Sequence, residues 1–250
     1  MKNKTISTSQ ALRYNRQISL SGFDVDKQEL LMNKSALIIG MGGLGCAASQ
    51  YLVAAGIGRI TIVDDDIVDR SNLQRQILHF ENNIGDVKVD SAKQTLSQIN
   101  SDVAIATINT RLDSQALNEQ TIHHDIVLDC CDNLTTRNTI NAACVQAKTP
   151  LVSGSAIRME GQIFCVVPAL NSACYQCISR YFGEQNLSCV ESGVMSPVVG
   201  IIGATQAIEA IKLLCNYGEA MVNTLKVYDA ISSQWHSLNV NKLDDCPTCS

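Results

Sequence analysis

The stretch Ala36-Leu-Ile-Ile-Gly40-Met-Gly42-Gly43-Leu-Gly45 decides how the fold of this chain is interpreted. Its four apolar residues are typical of a buried strand, its glycines permit a tight turn, and an alanine-containing run follows as far as Ala55. A strand, a glycine turn and a helix in this order aim backbone N–H groups at a phosphate beside the positive end of the helix. We therefore predict a nucleotide site at Gly40, Gly42, Gly43 and Gly45. The motif alone leaves NAD, FAD and ATP open as ligands.

Strands and helices alternate on both sides of this motif. We predict strands at Ala36–Ile39, Ile60–Val63, Val103–Asn109 and Ile126–Leu128, and helices at Leu44–Ala55, Val87–Ile99, near Ser114–Gln120 and at Leu134–Ala147. Residues 10–34 are predicted to be helical and to precede the first strand. Strands that are almost entirely apolar are expected where helices cover both faces of a sheet, and this alternation gives a mostly parallel sheet.

The pattern changes after Pro150. Two strands, Leu151–Ile157 and Gln162–Val167, are predicted to form an antiparallel hairpin around residues 158–161, followed by a helix at Val199–Leu214 and a last strand pair at Thr224–Tyr228 and Gln234–Val240. The predicted class is α/β, with helices on both faces of one sheet. A Rossmann-like nucleotide-binding half, about 30–150, continues into an antiparallel half, about 151–250, within a single domain spanning 1–250.

The composition excludes several classes of protein. The chain has 250 residues, of which 46% are hydrophobic and 17% charged, so disorder is excluded. Its net charge of −5 and its pI near 5.3 argue against nucleic-acid binding led by phosphate contacts. The N-terminus has no apolar signal-peptide core, and the most apolar stretch, Ala36–Gly58, is interrupted by glycines and is no membrane span. We expect a cytoplasmic protein that binds neither nucleic acid nor membrane.

A carboxylate follows the second strand, about 20 residues beyond the glycine motif, where it accepts hydrogen bonds from ribose hydroxyls. This residue is Asp64, and Asp66 in the same loop is included in the predicted site. Beyond them lie Asn72, Arg75 and Gln76, and Lys88 lies in the first turn of the next helix. Two cations and an amide beside the ribose suit a triphosphate, whose charge must be neutralised during transfer. The alternative for Arg75 and Lys88 is a solvated helix face.

The run Asp129-Cys-Cys-Asp132-Asn133 follows another core strand, at the edge where open α/β sheets bind ligands. A carboxylate at Asp132 suits Mg²⁺. The alternative is an N-cap for the helix that begins at Leu134, which Asp132 or Asn133 would provide. The two roles can be divided between the two residues.

Two CxxC pairs, Cys174/Cys177 and Cys246/Cys249, supply the four thiolates that structural zinc prefers. A redox role is the alternative for a single pair, but two pairs without a secretory signal favour metal. All four positions around the ion would be filled, so we expect no catalytic water. Six other cysteines are predicted to be simply buried: Cys46, Cys130, Cys131, Cys144, Cys165 and Cys215. The histidines (His79, His123, His124 and His236) show no catalytic-triad spacing and are assigned no catalytic role.

Several motifs together resemble the ThiF/MoeB/HesA family, whose members are relatives of ubiquitin-activating enzymes. They are Arg13-Tyr-Asn-Arg16-Gln, Gly40–Gly45, Ser71–Gln76, Asp129–Asn133, the run from Ser153 to Gln162, and Cys174-Tyr-Gln-Cys177. The resemblance implies that ATP and Mg²⁺ activate the C-terminal glycine carboxylate of a small ubiquitin-like carrier ending in Gly-Gly, giving an acyl-adenylate and pyrophosphate. It implies that Asp64 holds the ribose, that Asn72, Arg75 and Lys88 hold the phosphates, and that Asp132 holds Mg²⁺.

The resemblance also implies an assembly. Arg16, which pattern alone would place at a surface helix end, would reach across a homodimer to the triphosphate of the neighbour, and two carriers would complete a heterotetramer. Cys189 matches the cysteine that some relatives link covalently to the carrier or its sulfur, and an accessible bystander is the alternative. The last zinc ligand precedes the end of the sequence by one residue, so we expect a separate persulfide donor of sulfur.

The resemblance favours the molybdopterin-synthase branch of the family, with the small subunit of that synthase as the carrier. The alternative within the family is the sulfur carrier of the thiamin pathway. An NAD-dependent oxidoreductase with structural zinc is the alternative from another class. A non-catalytic zinc scaffold would leave the polar residues from Asp64 to Asp132 unexplained.

Overall fold

A sheet of eight strands forms the centre of the computed structural model, which describes residues 4–179 and 192–250. The strands are β1 Ser35–Ile39, β2 Arg59–Val63, β3 Ala104–Ile108, β4 Ile126–Asp129, β5 Leu151–Ile157, β6 Glu160–Val166, β7 Thr224–Asp229 and β8 Gln234–Asn239. Their order in the sheet is β3-β2-β1-β4-β5-β6-β7-β8. Neighbouring strands are parallel from β3 to β5 and antiparallel from β5 to β8. The prediction of one mixed sheet is confirmed.

Nine α-helices accompany the sheet in the described ranges. They are α1 Thr8–Arg13, α2 Asn15–Ile18, α3 Asp24–Met32, α4 Gly43–Ala55, α5 Lys88–Ile99, α6 Ser114–Thr121, α7 Leu134–Ala147, α8 Tyr175–Ser179 and α9 Ser196–Cys215. The segment predicted to be helical before the first strand is divided into α1, α2 and α3. The first of these begins with a capping box, in which Ser7 and Gln10 satisfy each other's backbone amides.

Helices cover both faces of the sheet, as the apolar strands predict. Successive side chains of a strand point to opposite faces. Ala36 and Ile38 accordingly belong to a core shared with α4, α5 and α9, while Leu37 and Ile39 belong to a second core with α6 and α7. Every residue of β1 is buried. The parallel half therefore lies between two helical layers and places its strand ends at one common edge.

The hairpin between β5 and β6 is tighter than its sequence suggests. The sequence predicts a turn over residues 158–161, whereas in the structure Ile157 already pairs with Glu160. Only Arg158 and Met159 connect the strands, and Arg158 has a left-handed φ of +54°. Two-residue hairpin loops favour such positive φ values because they match the twist of the flanking strands. The predicted start of the second strand at Gln162 is thus wrong by two residues.

One helix of the described residues, α9, is long and apolar enough to cross a membrane, with a mean hydropathy of 1.6 over its most apolar window. More than half of that window is buried within the protein. The helix packs on α4 and on strands β5 and β6, and Val198, Ile202 and Leu214 are part of the core. Its apolar character is therefore explained by its position as a core helix.

Candidate active site

A cleft of about 250 Å³ opens at the carboxyl ends of the parallel strands. Its position follows from the strand order, because the connections after β1 and β4 lead to opposite sides and leave a crevice between them. The cleft is lined by eleven residues of the predicted nucleotide site: Gly40, Gly42, Gly43, Asp64, Asp66, Asn72, Arg75, Gln76, Lys88, Asp132 and Asn133. Residues far apart in sequence are thus brought together at one sheet edge.

The glycine turn touches the loop after β4. Gly40 has a φ of +95°, and a Cβ added there would lie 2.7 Å from the carbonyl oxygen of Cys130. Gly45, the twelfth predicted residue, does not line the cleft. A Cβ at Gly45 would lie 1.9 Å from the Gly40 carbonyl oxygen, so this glycine permits α4 to pack against the turn that precedes it. Gly42 is the N-cap residue of α4, which leaves the first amides of that helix directed at the cleft.

The carboxylate of Asp64 holds the glycine turn. Its Oδ2 accepts a hydrogen bond from the backbone N–H of Met41 at 2.6 Å, and its Oδ1 accepts one from the N–H of Asp66 at 2.9 Å. A carboxylate oxygen accepts more than one hydrogen bond, so acceptor capacity remains for a ribose. Asp64 thus joins the end of β2 to the turn after β1.

Lys88 occupies the first position of α5 and is buried, with only 7% of its side chain exposed. Its ammonium lies 2.7 Å from Asp66 Oδ2 and 4.0 Å from Asp64 Oδ1. A solvated helix face therefore does not describe Lys88. Arg75 is half-buried and donates from Nη1 to the Ser71 carbonyl at 3.1 Å. Both cations line the cleft on the side of β2.

Two amide side chains complete this wall of the cleft. Asn72 accepts a hydrogen bond from the N–H of Asp69 at 3.2 Å within the short helical turn that carries it. Gln76 is 3% exposed, and its Oε1 has no hydrogen-bond partner among the described residues. A buried polar atom without a partner is costly, so the Gln76 amide is suited to a polar ligand in the cleft.

The two polar residues of the loop after β4, Asp132 and Asn133, have different roles. Asn133 caps α7, because its Oδ1 accepts a hydrogen bond from the N–H of Thr136 at 2.9 Å. Asp132 is exposed and makes no hydrogen bond or ion pair within the described part of the chain. Its carboxylate faces the cleft from the side opposite to Lys88 and is available to a ligand.

The residues that follow β3 also line the cleft, and the sequence analysis did not include them in the predicted site. Thr110, Arg111 and Leu112 follow β3 and line the cleft, and Arg111 Nε lies 3.6 Å from Asp65 Oδ2. The signal was present, since ligands of parallel sheets bind beyond the carboxyl ends of the strands and β3 is one of them. Cys130 and Cys131 also line the cleft while remaining buried.

Arg16 lies away from the cleft. Its neighbour Tyr14 is buried against Gly56, and Gln17 Nε2 donates to the Ala55 carbonyl at 3.1 Å. Both contacts are at the C-terminal end of α4, whereas Gly43 at the other end lines the cleft. Arg16 itself is exposed. Cys189 lies outside the described residues.

Two of the histidines are buried supports. His79 lies beneath the glycine turn, with Nδ1 2.8 Å from Ser91 Oγ and Nε2 3.3 Å from the Met41 carbonyl oxygen. The carbonyl contact requires a proton on Nε2, so Nδ1 accepts from the serine in the neutral ring. His124 contacts Thr61 Oγ1 and the Gln120 carbonyl. Burial lowers the pKa of both rings.

The four cysteines of the two CxxC pairs converge. Their sulfur atoms all lie within 4.8 Å of one another, with 3.7 Å from Cys174 to Cys246 and 3.6 Å from Cys177 to Cys249. Four sulfurs around zinc at 2.3 Å are separated by about 3.8 Å, so the cluster has the dimensions of a tetrahedral thiolate site. Burial disfavours the Cys246 thiolate, but hydrogen bonds from the backbone N–H groups of Thr248 and Cys249 and from the thiols of Cys249 and Cys177 together lower the pKa of Cys246 to about 7.

The remaining described cysteines are unsuited to nucleophilic chemistry. Burial raises the pKa of Cys46 to about 12 and that of Cys215 to about 11. It also raises the pKa of the thiols of Cys130, Cys144 and Cys165. A thiolate is the reactive form, so these groups are inert at neutral pH.

Comparison with known proteins places this geometry in a family. Residues 14–248 match the ThiF family. The molybdopterin-synthase adenylyltransferase of Escherichia coli strain K12 is 50% identical over 98% of each chain, and the sulfur carrier protein ThiS adenylyltransferase of the same strain is 42% identical over 95% of this chain and 94% of that protein. The crystal structure of E. coli MccB with ATP has a TM-score of 0.83 at 25% identity, covering 95% of this chain and 74% of MccB. The resemblance found in the sequence is confirmed, and the chain belongs to the ThiF family.

Proposed function

We propose that this chain is an adenylyltransferase that uses ATP to activate the C-terminal carboxylate of a small ubiquitin-like sulfur carrier. The observation that carries the proposal is the composition of the cleft, in which a glycine turn lies between two cations and a free carboxylate. A dinucleotide needs one pyrophosphate cradle, whereas a triphosphate needs this larger set of charge-neutralising groups. The full-length similarity to adenylyltransferases supports the same reaction.

The reaction needs positioning more than acid–base chemistry. A carboxylate oxygen of the carrier would attack the α-phosphorus of ATP, and the bond from that phosphorus to the oxygen bridging to the β-phosphate would break, releasing pyrophosphate. The attacking group is already an anion, so no general base is required. Arg75, Lys88 and the first amides of α4 would neutralise the triphosphate while the two anions approach each other.

Asp132 is the proposed ligand for Mg²⁺. The fit rests on chemistry present in the cleft, because this exposed carboxylate has no internal partner in the described ranges and oxygen is the donor that Mg²⁺ prefers. The ion, when bound, would neutralise charge on the phosphates of the leaving group. Asn133 caps α7 and thereby leaves the neighbouring carboxylate free for this role.

Arg16 would serve the cleft of a second protomer in a homodimer. The residues on either side of it are held at the C-terminal end of α4, and the 13 residues of that helix span about 20 Å to the glycine turn. This distance exceeds the reach of an arginine side chain, so Arg16 does not serve the cleft of its own chain. Two carriers bound to such a dimer would give a heterotetramer.

The four-cysteine cluster is proposed to hold structural zinc. The thiols at Cys174, Cys177, Cys246 and Cys249 are the complete tetrahedral set, with no position left for a reacting water. Such an ion would tie the segment after β6 to the end of the chain and stabilise the antiparallel half.

The small subunit of molybdopterin synthase is the proposed carrier. The observation favouring this carrier is the higher identity to the molybdopterin-synthase adenylyltransferase, and the similarity to the ThiS adenylyltransferase makes the thiamin carrier the second candidate. Adenylation itself needs no covalent link to a thiol, and a role for Cys189 in sulfur transfer stays a prediction.

Mass spectrometry of the two carriers tests the function. Each carrier would be incubated with this protein, ATP and Mg²⁺, and the expected result is an AMP adduct on the molybdopterin-synthase small subunit. If only the thiamin carrier gained an adduct, that carrier, and not the molybdopterin-synthase small subunit, would be the substrate. If folded, zinc-loaded protein modified neither carrier, the proposed activity would be wrong. A carrier without its terminal glycine is the matched control and should gain no adduct.

A further inference from the structure

The last residue of β4 carries a fully buried carboxylate that the proposed reaction does not use. Asp129 is 0% exposed and lies 3.6 Å from Nε of Arg137, which is 7% exposed and belongs to α7. Removing two charges from water is expensive, and a buried ion pair is often no more stable than apolar side chains of similar size. Asp129 lies three residues before Asp132, and Arg137 lies five residues after it in α7. The location of the pair on both sides of Asp132 therefore indicates a role in positioning this loop rather than in stabilising the fold.

Asp129 and Arg137 both form hydrogen bonds with Cys131, the residue before Asp132. Asp129 Oδ1 accepts hydrogen bonds from the N–H of Cys131 at 3.1 Å and from its thiol at 2.8 Å. Arg137 Nη2 donates to the Cys131 carbonyl oxygen at 2.6 Å. Both polar backbone groups of the residue before Asp132 are thus held by buried charges.

Neighbouring elements fix the pair itself. Ser153, directly opposite Asp129 on β5, donates from Oγ to Asp129 Oδ2 at 2.7 Å. The guanidinium of Arg137 lies over the ring of Tyr175, 5.4 Å from its centroid. The N–H of Tyr175 in turn donates to Asn141 Oδ1 at 2.9 Å, one turn further along α7. These contacts restrict the Asp129 carboxylate and the Arg137 guanidinium to a single arrangement.

The thiol of Cys131 belongs to this framework and is no nucleophile. Burial, together with the adjacent negative charge of Asp129, raises the pKa of this thiol well above its ordinary value. The thiol therefore stays protonated and donates to Asp129. Among the described residues, the Cys131 backbone and thiol are therefore held in place, whereas the exposed carboxylate of Asp132 has no hydrogen bond or ion pair.

We propose that Asp129, Arg137 and Ser153 are positioning residues that hold Asp132 where it binds the divalent cation of the nucleotide. The proposal rests on the proposed function only in that Asp132 holds this cation. It predicts that loosening the pair weakens the binding of the cation in the nucleotide complex, and that it does so through Asp132.

Ser153→Ala tests the proposal because it removes one hydroxyl, which donates to Asp129 Oδ2 at 2.7 Å and accepts from Arg137 Nη1 at 3.5 Å, and it removes no charge. Its matched control is Ser35→Ala, since Ser35 Oγ donates to Asp125 Oδ2 at the same 2.7 Å beside the opposite end of β4. The measurement is the dissociation constant of Mn²⁺, by electron paramagnetic resonance, with a non-hydrolysable ATP analogue bound. We expect Ser153→Ala to weaken Mn²⁺ binding about five- to tenfold, the size of a typical net hydrogen-bond contribution, and Ser35→Ala to leave it unchanged.

A double-mutant cycle separates positioning from general destabilisation. If Ser153 acts through Asp132, Ser153→Ala adds no further loss of Mn²⁺ affinity to Asp132→Ala. Equal effects of Ser153→Ala and Ser35→Ala would overturn the proposal, as would a Ser153 effect that persists at full size in the Asp132→Ala background.

Should Ser153→Ala not fold, Arg137→Lys takes its place, since it keeps the charge but shortens the reach to Cys131. Because Mn²⁺ binding needs no carrier, its outcome is independent of whether either carrier gains AMP.

Discussion

The backbone N–H of Met41 donates a 2.6 Å hydrogen bond to Oδ2 of Asp64. The bond joins the turn after β1 to the end of β2, so the carboxylate expected to bind the ribose also shapes the glycine turn. A second hydrogen bond joins the same two segments, because the N–H of Gly40 donates to the carbonyl oxygen of Val63 at 2.8 Å. The shape of the turn therefore depends on the same side chain that is proposed to recognise the ribose.

Asp64→Ala is expected to weaken ATP binding by about ten- to a hundredfold, because it removes a charged acceptor from both the turn and the ribose. Isothermal titration with a non-hydrolysable ATP analogue measures the change. Asp65→Asn is the matched control, since Asp65 is exposed and pairs only with the exposed Arg111 among the described residues. Equal losses in the two variants would contradict a specific role for Asp64.

Lys88→Met is expected to lower the rate of adenylation by about a hundred- to a thousandfold, the usual effect of losing one group that neutralises transition-state charge. Asp66→Asn should lower the rate far less, because Asp66 Oδ2, 2.7 Å from the Lys88 ammonium, is expected to be replaced there by phosphate when ATP binds. Single-turnover kinetics with the carrier at saturation measures both rates. Near-normal turnover of Lys88→Met would exclude Lys88 from the mechanism.

Mixed dimers test the position of Arg16. Arg16→Ala and Asp132→Ala are each expected to be nearly inactive, whereas their heterodimer should regain activity at the one cleft that has both groups. Two different affinity tags isolate the mixed species, and the AMP adduct on the carrier measures its activity. Absence of rescue in verified heterodimers would mean that Arg16 does not act between protomers.

Cys246→Ser is expected to reduce bound zinc from about one equivalent to less than half and to lower the melting temperature strongly. Structural zinc contributes on the order of 10 kcal/mol to folding, so loss of one thiolate removes a large part of that stabilisation. Elemental analysis and thermal unfolding measure the two effects. Cys144→Ala is the control, because Cys144 is buried in the core outside the cluster and its replacement should keep the zinc.

His79 gives the fold a pH dependence of predictable sign. Burial lowers the pKa of His79, so the unfolded chain takes up a proton near pH 6.5 that the folded chain does not. The free energy of unfolding is therefore expected to fall as the pH drops below about 6.5, until the folded ring also becomes protonated.

His79→Gln should reduce this loss without abolishing it, because the pKa of His124 is lowered in the same way. Urea unfolding between pH 8 and pH 5 measures the dependence. The difference between wild type and variant at pH 8 gives the cost of the substitution itself. Parallel curves across this range would exclude His79 as a contributor.

The mixed sheet and most of its elements could be predicted from sequence, because local patterns determine them. The apolar run at Ala36–Ile39, the glycine turn and the helix beyond it identify themselves through composition and spacing. The helix at Leu134–Ala147 and the strand at Leu151–Ile157 have the bounds that the sequence predicts. Where local chemistry is ambiguous, as at the two-residue loop of Arg158 and Met159, the prediction was wrong by two residues.

The sequence by itself determined which residue types are available to a nucleotide and that four cysteines could share a metal. Only the tertiary structure decided how they are used. Whether Asp132 or Asn133 caps α7, whether Lys88 faces solvent, and where Arg16 lies relative to α4 depend on contacts between segments far apart in sequence. The buried pair of Asp129 and Arg137 was likewise unpredictable, because a charge is recognised as buried only when the strands and helices that enclose it are in place.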